Sequence, residues 1–456
     1  MMCAGLLVRS NEDSPIFGRA LVGLRRSVVT RTIAGVLLVL CALALQPVLL
    51  AQAGRTSDHW VGTWATAVVA RAPLPPAPQG GGQQQPAPPP PLNFSNQTLR
   101  QVVHTSVGGE RVRVVFSNAF GTAPLPVGAA RVALRAKDAA IVPNSARALT
   151  FSGRPSATIP AGAAVVSDPV NLTVAPFSDL AIDLYLPGDT AAGTSPLTIH
   201  NGAFQTSYVS PPGDQTGAVD MPVMTTTQSW FFLARVEVMA AEEVSAVVAF
   251  GDSISDGTRS TPNTNNRWPN HLARRLAAQN MKMGVLNLGI AGNRVLTDGA
   301  GVNALARFDR DVLVQPGVTH LVVLEGINDI GMARENPLPA PAEIIAGHEQ
   351  LVARARSRGL KIYVGTLIAF EGANYWTVQG EAKRKAVNEW IRSNKIYDGV
   401  IDFDAILRDP DNPTKLLPQY DSGDHLHPND AGYQAMANSL NLELLKAPVL
   451  AGTASR

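Results

Sequence analysis

"VSAVVAFGDS", residues 244–253, is the stretch on which the fold turns. From Ala246 to Phe250 it is apolar without alternation, and it stops at Gly-Asp-Ser. A strand covered on one face alternates, whereas a strand covered on both reads as one apolar run, the habit of parallel sheets. Four more runs of strand length follow: "MGVLNLGIAG" (283–292), "HLVVLEGIND" (320–329), "KIYVGTLI" (361–368) and "GVIDFD" (399–404). Between them lie segments of helical period. Trp268, Leu272 and Leu276 repeat every four residues, as do Met436, Leu440 and Leu444, while Val387, Trp390 and Ile391 share another face. Apolar strands alternating with amphipathic helices predict an α/β fold, a doubly wound parallel sheet with helices on both sides. In such sheets function gathers beyond the carboxyl ends of the strands.

Upstream the texture differs. "TLRQVVHTS" (98–106), "RVRVVFSN" (111–118), "ARVALR" (130–135), "LAIDLYLPG" (180–188) and "SWFFLARVEVM" (229–239) are short β runs broken by turn residues. They predict an all-β sandwich or jelly roll over residues 54–240, ahead of the α/β domain over 244–450. Within it, "RAPLPPAPQGGGQQQPAPPPP" (71–91) has no apolar period and reads as a surface insertion rather than core. His104 and His200 read as hydrogen-bonded structural residues.

A chain of 456 residues exceeds one ordinary core, in keeping with two domains. With 16% charged residues and a net charge of +2 it lacks the basic footprint of a nucleic-acid binder. Arg25, Arg26 and Arg31 precede an apolar run from Ile33 to Leu50 that ends in Ala51-Gln52-Ala53. This is the pattern of a cleaved secretory signal over residues 1–53, and it implies a secreted or periplasmic protein with no membrane anchor after cleavage. Cys3 and Cys41, the chain's two cysteines, both fall in that segment, so the mature protein is expected to have no disulfide, thiolate nucleophile or cysteine metal site.

The strand ends carry the chemistry. Ser253 follows Gly251-Asp252 directly after a buried strand, a place for a nucleophile, although Asp252 or Ser253 could equally cap the next helix. The Gly-x-Ser-x-Gly elbow is not met, because Ser255 stands where its second glycine would be. The second strand ends in Gly289-Ile290-Ala291-Gly292-Asn293, where glycine lets a backbone N–H approach a substrate. The third ends in Gly326-Ile327-Asn328-Asp329, offering a side-chain amide to an oxyanion, with Asp329 expected to fix the loop. Asp424 and His427 stand in Asp-x-x-His spacing, with Asn429 or Asp430 placed to cap the last helix. Tyr375 and Trp376, after the fourth strand, either flank a substrate or pack. Together these are the parts that acyl transfer requires.

In this order the blocks resemble those of the SGNH, or GDSL-type, hydrolases, over roughly residues 246–445. The resemblance implies a flavodoxin-like three-layer α/β/α domain with no metal or cofactor. It implies Ser253 as nucleophile, His427 as base and Asp424 as the carboxylate orienting it. The N–H groups of Ser253 and Gly292 and the Asn328 side chain would form the oxyanion hole. "HWVGTWATA" (59–67) and "LNFSNQTLRQVVHTSVGGERVRVVFSNAFG" (92–121) resemble the β domain of certain exported bacterial esterases, some acting on acetylated plant polysaccharides. The substrate expected is a short-chain acyl or acetyl ester on carbohydrate, with a lysophospholipase or lipase-type esterase as the alternative. Two rivals differ in kind. A metal-dependent phosphoesterase would use His425 and His427 with Asp252, Asp256 and Asp424. A non-catalytic carbohydrate-binding surface protein would carry a decayed hydrolase half, against which the complete Ser, Gly, Asn, Asp and His set argues. "DGAGVNA" (298–304) follows no strand directly and reads as a loop near the site rather than a dinucleotide motif.

Overall fold

Every residue from Ala246 to Gly251 is buried in the strand Ser245–Gly251 (β1), as the unbroken apolar run requires. The structure, a computed structural model, describes residues 58–71, 92–332 and 338–446. The proposed signal segment lies outside these residues, as does all of the Pro/Gln-rich stretch except Arg71. β1 pairs in parallel with Met283–Gly289 (β2) on one side and Val318–Leu324 (β3) on the other. Lys361–Gly365 (β4) and Gly399–Ile401 (β5) extend the sheet beyond β3, giving the order β2–β1–β3–β4–β5. The chain therefore winds outward both ways from β1, and a crevice opens where the direction of winding switches.

The connections are the helices that the periodicity predicts. Trp268, Leu272 and Leu276 are fully buried on helix Trp268–Ala278. Helices Pro341–Ser357 and Val378–Ser393 follow β3 and β4, and Val387 and Ile391 are buried on the second of these. The last helix departs from expectation. It runs only over Asp430–Ser439, with Met436 on its buried face, and Leu444 belongs to a separate 3-10 turn, Leu442–Lys446. The cause is a long-range cap. Arg275 Nη1 donates to the carbonyls of Ala437 and Leu440, taking acceptors that a continuing helix would have used. No helix among the described residues is long and apolar enough to cross a membrane.

The N-terminal region is β-rich, as expected. One antiparallel sheet is centred on Gly109–Ser117 and Leu233–Met239, a larger one on Gln97–His104, Asp179–Leu186 and Ala129–Lys137. Leu180, Ile182 and Leu184 share one apolar core with Val112, Val114 and Phe116 of the other sheet, while Ala181 faces away. That core continues into the α/β part, so that residues from His59 onward form one compact unit. Arg71 marks where the insertion leaves and returns. Its guanidinium donates to Leu92 O at 2.7 Å and Asn93 Oδ1 at 3.0 Å, holding both flanks together.

The β-rich part covers the open edge of the parallel sheet. Among the described residues β2 pairs only with β1, and its outward Val285 N–H donates to Ser106 Oγ at 3.0 Å. Ser106 Oγ in turn donates to Thr63 O at 2.6 Å. An exposed strand edge is a template for unwanted pairing, and here a buried hydroxyl blunts it. Ser106→Ala leaves the Val285 N–H and Thr63 O without this partner. It should cost about 1–3 kcal/mol of stability, read as a lower denaturation midpoint at unchanged slope in urea.

Candidate active site

β1 ends in Gly251 because the space there is taken. A Cβ on Gly251 would lie 2.2 Å from Leu324 O, and one on Gly289 would lie 2.2 Å from the Asp256 backbone nitrogen. The four-residue helix Ser253–Asp256 can thus press against the ends of β1 and β2. The capping question resolves in favour of Asp252, whose Oδ1 accepts from Ile254 N at 2.9 Å. Ser253 is left to face elsewhere, and His427 Nε2 lies 2.8 Å from its Oγ.

Asp424 organises the histidine twice over. Its Oδ1 accepts the backbone N–H groups of Leu426, at 3.1 Å, and His427, at 2.8 Å. Its Oδ2 accepts from the His427 ring Nδ1 at 2.8 Å. This is the physical sense of Asp-x-x-His spacing: one carboxylate closes a turn of its own backbone and orients the ring two bonds beyond it. Burial works to raise the Asp424 carboxyl, but the bonds from the His427 ring and backbone and the nearby imidazole charge outweigh it and hold it far below the usual range. An ionised Asp424 only accepts, so the proton on His427 sits at Nδ1 and Nε2 has a lone pair for Ser253.

His425 is built differently. It is half exposed, adopts a positive φ of 60°, and its Nδ1 bonds Asp421 Oδ2 at 2.6 Å. The two histidines therefore serve different carboxylates. Asn429, not Asp430, caps the last helix by accepting from Gly432 N at 3.0 Å.

Gly292 has φ 77°, a left-handed conformation that favours glycine. The loop it begins is held by the third block. Asn328 Nδ2 donates to Asn293 O at 2.9 Å, which leaves its second amide hydrogen available. Tyr375 fixes which way that amide faces, since its hydroxyl donates to Asn328 Oδ1 at 3.3 Å. Tyr375 is thus a packed, hydrogen-bonded residue, and Trp376 packs against the core. Asp329 fixes a loop as expected, but a distant one, through Val295 N at 2.8 Å and Leu296 N at 3.0 Å. His104 bonds Asp179, as a structural residue would, at 2.7 Å. His200 reaches further, from the β-rich part to Asp256 Oδ1 at 3.0 Å, at the end of the helix that bears Ser253.

Several residues escape sequence reading. Arg307, fully buried, donates to Gly251 O at 2.9 Å, Leu288 O at 2.8 Å, Asn293 Oδ1 at 2.7 Å and Asp311 Oδ2 at 3.0 Å. Glu325, also fully buried, has no hydrogen-bond partner for its carboxyl among the described residues. Burial, reinforced by the Asp252 charge, pushes it well above its ordinary range. Burial likewise pushes Asp252 up to about 7, against the Ile254 N–H bond, and Asp329 up to about 6, against its two backbone bonds. A charged residue directly after an apolar strand, as Glu325 stands in "HLVVLEGIND", is the one visible signal.

With this geometry in place, residues 249–435 match the model of the GDSL-like lipase/acylhydrolase family. This part of the chain is a GDSL-like hydrolase domain. No curated protein sequence matches the chain. Solved structures similar to it include a GDSL-like lipase from Bacteroides thetaiotaomicron, 17% identical, covering 46% of this chain and 92% of its own, with a TM-score of 0.35. A carbohydrate acetylesterase from Sinorhizobium meliloti is 15% identical over 43% of this chain and 95% of its own, with a TM-score of 0.35. An acetyl xylan esterase is 20% identical over 42% and 96%, with a TM-score of 0.33.

Within the GDSL-like domain, Asp252 offers a stability test. Its folded pKa of about 7 lies above the unfolded value, so the stability it contributes is complete below pH ~4 and is lost as pH rises through ~7. Asp252→Asn keeps an oxygen for the Ile254 cap and removes the buried charge. The variant should gain on wild type between pH 5 and pH 8.5, by something on the order of 2 kcal/mol, in paired thermal unfolding.

Proposed function

We propose that this chain is a serine esterase that hydrolyses carboxylic esters through an acyl-serine intermediate. The observation that carries the reading is the continuous relay Asp424–His427–Ser253, with both links at 2.8 Å. In acylation the Ser253 oxygen attacks the ester carbonyl while its proton passes to His427 Nε2. The resulting oxyanion is received by the N–H groups of Ser253 and Gly292 and by the second Nδ2 hydrogen of Asn328. Collapse expels the alkoxide, which takes the proton from Nε2. Water then gives a proton to Nε2 and attacks the acyl carbon, and Ser253 leaves with the returned proton. Asp424 stays ionised throughout, stabilising the imidazolium in each half-reaction.

The substrate we favour is a short acyl or acetyl ester on a carbohydrate. The block "GIAGNR" is small, and Ala300 lies 3.0 Å from the place a Gly292 Cβ would occupy, with Met332 beyond it. This crowding beside the oxyanion glycine favours a small acyl group. We read the two β sheets as a sandwich leading into a three-layer α/β/α catalytic domain, and the protein as exported through its N-terminal segment. The β domain would present the alcohol portion of the substrate.

Four substitutions test the assignment. Ser253→Ala should abolish turnover and labelling by a fluorophosphonate probe while unfolding like wild type; labelling at another serine would sink it. His427→Ala should remove almost all activity and His425→Ala little, a contrast that reverses if Asp421 and His425 are the true pair. Asn328→Ala should lower kcat by about two to three orders of magnitude with a smaller change in KM, the usual signature of a lost oxyanion donor. A panel of nitrophenyl esters from acetyl to palmitoyl, with acetylated xylan and lysophospholipid, should show the highest kcat/KM at the short end.

A further inference from the structure

The Asp424 carboxylate has a third partner. Arg259 Nε donates to Oδ2 at 3.0 Å, the same oxygen that His427 Nδ1 holds at 2.8 Å. The two nitrogens therefore lie within about 6 Å of each other. Arg259 is also a backbone outlier, with φ 71°. A left-handed arginine is uncommon and costs free energy, so its neighbours must hold it there. They do. Thr258 N donates back to Ser253 O at 3.0 Å and Thr258 O accepts the Tyr433 hydroxyl at 2.6 Å. Two residues on, Thr261 N is held by Asp430 Oδ1 at 2.9 Å. The loop after the serine helix is thus pinned to the last helix on both sides of Arg259, and its side chain is delivered to the outer edge of the Asp–His pair.

We propose that Arg259 is a positioning residue that acts through Asp424 to set the pH range of the base. A guanidinium on the shared oxygen draws away part of the carboxylate field that would otherwise favour a second proton on His427. It also sits close enough to repel an imidazolium directly. Both effects have one sign: they make the doubly protonated, inactive histidine less favourable. The base is therefore free at lower pH than an Asp–His pair alone would allow, at no loss of the Nδ1 bond that orients the ring.

The other groups around His427 do not do this. Asp252 lies below Ser253 and, when ionised, would favour the imidazolium, as Asp424 does. His425 on the same loop is turned to Asp421. Tyr433 on the last helix and Tyr375 on the loop after β4 face the same carboxylates, and burial drives both hydroxyls upward, so they remain neutral. Arg307, buried beneath the serine turn, is spent on Gly251 O, Leu288 O, Asn293 and Asp311, and Arg259 is the cation bonded to Asp424 itself. Its side chain is 59% exposed, which limits the effect and makes it sensitive to salt.

This inference rests on His427 acting as the base, and the experiment separates the two. The rising limb of kcat/KM against pH is measured for wild type, Arg259→Gln and Arg259→Lys, at low ionic strength and in about 1 M NaCl. Arg259→Gln should move the limb to higher pH by about half a unit at low salt, the scale of one screened charge at this distance. In high salt the wild-type limb should drift towards the variant and the difference should largely vanish. Arg259→Lys should keep most of the wild-type position. A limb that ignores Arg259→Gln, a shift that survives high salt, or a fall in plateau height alone would overturn the proposal and leave a merely structural arginine. NMR titration of the His427 ring, in Ser253→Ala with and without Arg259→Gln, reads the same shift without turnover. If Ser253→Ala still hydrolyses esters, the catalytic reading has failed. A ring titration unmoved by Arg259→Gln fails this inference alone.

Discussion

The Arg307 guanidinium lies where the carboxyl ends of β1 and β2 part, and it donates to a carbonyl from each. It also reaches Asn293 Oδ1, so the residue after Gly292 is tied to the same group. Parallel strands diverge at their ends because no ladder continues there, and the carbonyls left over need donors. A planar fork with five N–H groups can satisfy several at fixed angles, which a lysine cannot. Phe250 closes the site from below, its ring centroid 3.9 Å from the guanidinium carbon. The spacing between the serine turn and the Gly292 loop is therefore set by one buried cation.

That cation sits among acids outside the Asp424–His427–Ser253 chain of hydrogen bonds. Asp252, Glu325 and Asp329 are all buried, and burial drives each towards its neutral form. Of these acids and Asp424, Asp424 is the one held firmly ionised, because it is less buried than the others and takes the His427 ring N–H as well as two backbone N–H groups. The result is a sharp contrast over a short distance. One carboxylate is kept charged by its hydrogen bonds, and its neighbours are pushed towards the neutral form by lack of water. The proposed relay would need a single dominant negative pole, and this distribution supplies one at Asp424.

The strands of the parallel sheet were legible because burial on both faces leaves an unmistakable run, as in Ala246–Phe250. The Asp424–His427 pair was legible for a similar reason: its geometry is local, with the carboxylate closing its own turn. What escaped was long-range. Nothing around Arg307 distinguishes it from a surface arginine on a short helix, and its partners come from residues 251, 288, 293 and 311. Tyr375 could be read as substrate-facing or packed until its bond to Asn328 was seen. The last helix looked longer than it is because Leu440 and Leu444 keep the period, while the residue that ends it, Arg275, is 162 positions away from the carbonyl of Ala437. His200 was read correctly as hydrogen-bonded, but no pattern could announce that its partner stands beside the serine.

The way Ser106 meets β2 bears on how two such parts come to share a chain. Extending a sheet across a junction demands matched register over a whole strand, a coincidence of many residues at once. Closing an edge with one hydroxyl demands a single side chain of the right length in the right place. An ancestral pairing of a β-rich module with a hydrolase could begin with so small a contact and then accumulate buried surface around it. With the apolar core now continuous across the junction, a lineage that lost the module would have to cover that surface as well as guard the strand.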